Sequence, residues 1–299
     1  MDSLKYLAGY PQETKAQVLA LIEQNPGAFA GAMAACGVTG DWQTEIGHLV
    51  DLRAVYDHFT RGTDYELPGD HDLTRNALSP TPPTGLGFAR PAWLLMQMKR
   101  MSGPMVKLFT AAKANPNGPE AKLVAKIASA ANADPDPATF LFSIMTAMVG
   151  MDDMKESFGG VVYGNAGRVY ASPLLSTDEA AALNRDVQRT VANPAATAFA
   201  NRWYRSTGRF STPLLTIHNP HDGLVFADQG VLLGERAKAA GNEAKLFQLW
   251  APSQQKDLPG SGGLKGWAHC GFTPRQAGVL WRTLHQWVET GTKPASGSY

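Results

Sequence analysis

Apolar positions divide the chain into three stretches with different periods. Residues 4–8 are a short apolar run that stops at Gly9-Tyr10-Pro11, as a strand entering a turn does. Residues 16–24 carry Val18, Leu19, Leu21 and Ile22 at helical spacing and end at Asn25-Pro26-Gly27. Residues 29–36 are small and apolar, as in a buried strand. Strand, helix and strand in that order predict a β-α-β unit and hence a parallel sheet. Beyond residue 40 the strand signal fades. Helical spacing over 46–59, 93–114, 119–131, 137–149 and 177–191 predicts a run of helices, with a proline-rich loop over 67–87. From residue 211 the strand signal returns. The segments 213–218 and 244–250 read as strands, 228–240 and 273–290 as helices, and 253–266 as a Gly/Ser/Pro-rich loop. The fold class expected is α/β. It comprises a parallel-sheet core from residues 1–40 and 211–299 and a large helical cap insertion over 41–210. The last residues, 294–299, read as a frayed tail.

Composition narrows the function classes. With 299 residues and 44% hydrophobic content the chain can bury a full core. The 27 basic and 26 acidic residues nearly cancel, which gives no electrostatic reason to expect nucleic acid or an anionic membrane as partner. No apolar run approaches the roughly 18 residues of a membrane-spanning helix, and residues 1–10 lack a signal-peptide pattern. The two cysteines exclude a disulfide-dense scaffold and a four-cysteine zinc site. No cofactor motif stands out.

Candidate chemistry collects in two loops. In open parallel sheets, functional groups gather just past the C-terminal ends of strands. Asn219-Pro220-His221-Asp222-Gly223-Leu224-Val225 follows the strand at 213–218. Gly266-Trp267-Ala268-His269-Cys270-Gly271-Phe272 is expected to follow the strand at 244–250. An aspartate can hold an imidazole in one tautomer, and the imidazole can then move a proton to and from a nucleophile. Acid before base is also the chain order of α/β hydrolases.

These residues carry a resemblance. Residues 213–225 resemble the "P-V-L-T-x-H-x-x-x-D-x-L-V" segment of α/β hydrolases. Ala268-His269-Cys270-Gly271-Phe272-Thr273 resembles their "G-H-C-x-F-T" histidine loop. Residues 193–225 and 267–291 resemble a bacterial group of these enzymes with large helical caps, and 29–37 (FAGAMAACG) looks like their strand after the nucleophile elbow. The resemblance implies carboxylic-ester hydrolysis with Asp222 and His269 as triad members, on small-molecule or polymer esters. The family's Gly-x-Ser-x-Gly elbow aligns with Gly9-Tyr10-Pro11-Gln12-Glu13, where Pro11 offers no nucleophilic atom and constrains the turn. The chain opens on this strand. The family's earlier strands and the loop giving half of the oxyanion hole are therefore expected to be missing. That leaves a sheet edge able to pair with a second copy in a homodimer.

Several readings stay open beside this one. Ser261, in Pro259-Gly260-Ser261-Gly262-Gly263, is a substitute nucleophile or part of a flexible loop. Ser3 and Ser172 are weaker substitutes, and water activated by His269 is another. His218, His221 and His269 raise a zinc alternative, although the preferred reading has no metal. Trp267 can wall an acyl or aromatic group. Met96 and Met145 belong to a methionine-rich set that either lines an adaptable substrate pocket or simply packs helices. Tannase-like and feruloyl-esterase-like hydrolases tie a cysteine beside the histidine loop to one near the nucleophile. By that resemblance Cys36–Cys270 is a disulfide fixing His269, in a secreted or periplasmic protein. Two buried free thiols in a cytoplasmic protein are the other reading. Set against the hydrolase is a catalytically impaired relative that binds a small molecule or a partner.

Overall fold

The computed structural model describes residues 6–9, 12–79, 81, 84–86 and 90–295. Pro11 and Tyr10 of the elbow position, Ser3, Pro80, Pro82, Pro83 and residues 296–299 lie outside the described residues. The protein is mixed α/β and about half helical. Its main sheet has four parallel strands in sequential order: β1 (Tyr6–Gly9), β2 (Gly31–Ala35), β3 (Leu214–His218) and β4 (Leu246–Trp250). The register pairs Tyr6 with Gly31, Ala32 with Leu214 and Leu214 with Leu246. Helix α1 (Gln12–Gln24) connects β1 to β2, and α9 (Asp228–Ala239) connects β3 to β4.

Strand alternation explains how the sheet is covered. Ala32 and Ala34 of β2, Leu214 of β3 and Leu246 of β4 meet Val18, Leu19 and Ile22 of α1 and Leu233 and Ala237 of α9. The intervening residues Ala35, Leu215, Ile217 and Phe247 meet Leu280, Leu284 and Trp287 of α10 (Pro274–Thr290). A parallel sheet has both faces buried, which is why β3 reads as an unbroken apolar run rather than an alternating one. Each buried Leu of α10 contributes on the order of 1.5–3 kcal/mol.

The chain divides into two compact units. The first comprises 1–45, 198–255 and 268–299 and contains the sheet; the second comprises 46–197 and 256–267. The boundaries at 45/46 and 197/198 fall inside α2 (Trp42–Thr60) and α8 (Pro194–Trp203).

The second unit is built on helices α3 (Arg90–Ala114), α4 (Pro119–Ala131), α5 (Pro137–Val149), α6 (Met151–Phe158) and α7 (Thr177–Asp186). Buried charges organise it. Asp51 accepts hydrogen bonds from the Tyr163 (2.8 Å) and Tyr170 (2.6 Å) hydroxyls and pairs with Arg168. Buried Arg53 donates to Ala147 O (2.8 Å) and Asp70 O (2.7 Å).

Three expectations need correction. The segment 253–266 is not simply a loop: Gln255–Asp257 (β5) and Lys265–Trp267 (β6) pair as a two-stranded sheet around a glycine-rich tip. The histidine loop consequently follows β6 and does not directly follow β4. Helix α7 stops at Asp186 instead of 191. Thr190 N–H donates to Asn165 Oδ1 (2.8 Å) and Asn165 N–H donates to Thr190 O (3.0 Å), and these bonds hold the next residues out of the helix.

Candidate active site

Parallel strands bring their C-terminal ends to one edge of the sheet, and the site grows there. β2 ends into Cys36, whose N–H donates to Ile217 O at 2.7 Å. β3 ends into Asn219 and the Asp222 loop. Asp222 folds its own loop: Oδ1 accepts from Leu224 N–H (2.9 Å) and Val225 N–H (3.0 Å). An aspartate that accepts backbone bonds two and three residues on is a turn-former by chemistry.

The same carboxylate receives the histidine loop. His269 Nδ1 lies 2.8 Å from Asp222 Oδ1, and Cys270 N–H donates to Asp222 Oδ2 at 2.9 Å. Buried Asn219 provides a second clamp. Its Oδ1 accepts from Gly271 N–H (2.9 Å) and its Nδ2 donates to Ala251 O (3.1 Å). Asn219 therefore ties the histidine loop to the ends of both β3 and β4. Nothing in the sequence reading singled it out, although an Asn directly after a buried strand is the available signal. Ala268 N–H donates to Gln254 O (2.8 Å) where the chain returns from the β5–β6 hairpin.

Electrostatics fix the state of the pair. Burial pushes the Asp222 carboxyl up, but its hydrogen bond and charge interaction with His269 and the N–H groups of Cys270 and Leu224 outweigh burial, so its pKa lies below the ordinary value. An ionised carboxylate can only accept, so Nδ1 must be the protonated nitrogen. In the neutral ring Nε2 is then the basic atom, the tautomer a general base requires. The Asp222 side chain is 1% exposed and that of His269 24%, so the carboxylate is enclosed while the imidazole is partly exposed. Behind Asp222 lies fully buried Glu45 of α2. Burial, with the charges of Asp228 and Asp222, holds its carboxyl well above the usual range.

The cysteines join the site. Cys36 and Cys270 form a disulfide with Cα atoms 5.3 Å apart. Cys270 Sγ lies 3.3 Å from His269 Nε2. Among the described residues, Cys36, His269 and Cys270 are the one group of metal-ligating types whose donor atoms converge, all within 4.8 Å. A cystine presents no thiolate, so the set offers one nitrogen ligand and no zinc site. The alternative with His218 and His221 does not assemble. His218 is buried beside Thr39 Oγ1 (3.4 Å) and the Trp250 ring, and the exposed His221 takes Ser253 Oγ on its backbone N–H.

The remaining candidates sit in the second unit. Ser261 is 3% exposed, its hydroxyl donates to Leu258 O (2.7 Å), and it accepts from Leu264 N–H (3.1 Å). That hydroxyl closes the hairpin tip between Gly260 and Gly262, both at positive φ. Ser172 shares its hydroxyl with Ser129 (2.8 Å). Trp267 N–H donates to Asp136 Oδ1 (3.0 Å), the N-cap of α5, so its backbone anchors the hairpin to that helix. The methionines divide: Met105 and Met148 are core, Met145 is half-buried, and Met96 is 57% exposed. Neither Met96 nor Met145 lines the cavity of about 630 Å³ in this unit, which is walled by polar groups including Asp57, His58, Arg61 and His71.

No protein-family model, curated protein or solved structure matches this chain. Among the described residues, no helix is long and apolar enough to cross a membrane.

Proposed function

We propose that the protein hydrolyses carboxylic esters, with His269 as general base and then general acid and Asp222 as its orienting partner, on an α/β-hydrolase-like sheet. The observation that carries this reading is the 2.8 Å bond from His269 Nδ1 to a buried, ionised aspartate, which leaves Nε2 as the proton acceptor of a partly exposed ring. With the Ser261 hydroxyl engaged in its own turn, the nucleophile in this reading is water. Nε2 takes a proton from water as its oxygen bonds to the ester carbon. When the carbon–oxygen bond to the alcohol breaks, Nε2 returns that proton to the departing alkoxide. General acid–base assistance of this kind contributes roughly 10²–10⁴-fold. A route without a covalent intermediate is correspondingly slow.

The test is turnover of a short p-nitrophenyl ester by the purified protein, with His269→Ala alongside. Turnover is expected to fall to the buffer rate in the variant and to survive treatment with a fluorophosphonate. Equal turnover by wild type and His269→Ala rules the proposal out. Fluorophosphonate labelling with loss of activity replaces water with a serine nucleophile. The engaged Ser261 hydroxyl also favours a second reading, a binding protein of the same fold. Its mark is tight binding of an ester with no turnover above background.

A further inference from the structure

We propose that Cys36–Cys270 is a redox-active disulfide that exchanges with dithiols, with Cys270 as the reacting sulfur, His269 and Asp222 as its activating pair, and Cys36 as the buried resolving sulfur. Three independent features support this. The first is chemical: Cys270 Sγ stands 3.3 Å from Nε2 of an imidazole whose other nitrogen is held by a buried carboxylate. Once Cys270 is a thiol, the same geometry pairs a thiolate with an imidazolium, the arrangement that makes cysteines reactive at neutral pH. The second is asymmetry. Cys36 is fully buried and Cys270 half-buried, so an incoming thiolate reaches one sulfur in preference to the other. The third is the backbone. Among the described residues the non-glycine positions at positive φ are Cys36 (47°), Asn132 (54°) and Cys270 (55°). Asparagine tolerates that region; cysteine has no such allowance. Both half-cystines are thus held where their backbones are strained, and strain of this kind concentrates at reactive sites.

The exchange balances in atoms and electrons. His269 Nε2 takes the proton from the first thiol of the dithiol, and the resulting thiolate attacks Cys270 Sγ. The Cys36–Cys270 bond breaks, and Cys36 leaves and takes the proton from the imidazolium, a ring nitrogen of which lies within 4.8 Å of its sulfur. The second thiol then gives its proton to Nε2 and attacks its own sulfur in the mixed disulfide, expelling Cys270 as a thiolate. The dithiol is oxidised to an intramolecular disulfide and the protein gains two electrons. One proton ends on Cys36 and one on His269. Asp222, from the β3–α9 loop, faces this pair, and Glu45 of α2 lies within electrostatic reach of both Asp222 and Asp228. Exposed His221 shares the Asp222 loop.

This activity uses the same histidine as ester hydrolysis but does not depend on it, and it is read without an ester. The protein is reduced with dithiothreitol, freed of reductant and exposed to iodoacetamide across pH 5–9, with the labelled cysteine identified by peptide mapping. Expected is preferential alkylation of Cys270, with a rate at pH 6 at least tenfold above that of His269→Ala, whose pH profile moves upward toward that of an ordinary thiol near 8.5. Cys36→Ser presents Cys270 without any reduction step and is expected to show the same fast alkylation. Both forms are labelled at a temperature well below their thermal midpoints, as read by circular dichroism. An ordinary thiol profile for Cys270 in both reduced wild type and Cys36→Ser overturns the proposal. So does an unchanged rate in His269→Ala, or Cys36 as the faster-labelled sulfur.

Discussion

Asp222 does three jobs with one carboxylate: it closes its own turn, orients His269 and receives the Cys270 N–H. Each of these bonds favours the charged form, and together they hold its folded pKa below the unfolded one. The folded state then binds fewer protons than the unfolded state across the interval between the two pKa values. The stabilisation is fully present above the unfolded aspartate range, near pH 4, and is lost as pH falls through the lower folded pKa. Asp222→Asn removes this dependence. Denaturant titrations from pH 7 down to pH 2.5 are expected to show the gap between wild type and variant closing as pH falls below about 4. A constant gap rules out this linkage. Glu45 has the opposite sign. Its raised pKa disfavours the folded state as pH climbs above the ordinary glutamate range, so it opposes Asp222 at neutral pH.

Helix α10 gives the clearest link from local sequence to element. Thr273 Oγ1 accepts from Gln276 N–H (3.3 Å), Gln276 Oε1 accepts from Thr273 N–H (2.7 Å), Pro274 opens the helix and Gly291 ends it at φ 68°. That is a complete capping box with both terminal signals. Thr273→Ala is expected to cost about 1 kcal/mol and to lower the thermal midpoint by about 2–4 °C, measured by circular dichroism. No change would mean that burial of Leu280, Leu284 and Trp287 alone sets the helix start. Helices α4 and α5 share the opening proline, Pro119 and Pro137, and their bounds are those the sequence predicts. Helix α8 carries a local signal in Asn193-Pro194, with Asn193 Oδ1 accepting from Ala196 N–H (3.0 Å), and lies outside the helices that periodicity predicts. Helix α6 spans eight residues between Gly150 and Gly159, too short for periodicity to stand out. The end of α7 was not available locally, because Asn165, distant in sequence, sets it.

At the scale of the whole molecule, the disulfide joins residues 234 apart in sequence. Closing so long a loop restricts the unfolded chain strongly, and native disulfides typically contribute about 2–5 kcal/mol. Reduction is therefore expected to lower the thermal midpoint in calorimetry, and Cys36→Ser to lower it equally. An unaltered midpoint would mean that Asn219 and Asp222 alone hold the histidine loop, to the ends of β3 and β4. Hydrophobic period, turn residues and caps by themselves determined the β-α-β start, the parallel order of the sheet, most helices and the two loops bearing Asp222 and His269. These are short-range properties, fixed by neighbours within a few positions. The tertiary structure decided what depends on distant partners. It bonded Cys36 to Cys270, a matter of where two strand ends arrive. It drew Asn219 into the site through a bond to Gly271. It engaged the Ser261 hydroxyl in the closure of a hairpin tip. It also assigned residues 256–267 to the helical unit, because their backbone finds its partner at Asp136. A hydroxyl or a thiol has no chemistry of its own until its neighbours are known, and those neighbours come from remote parts of the chain.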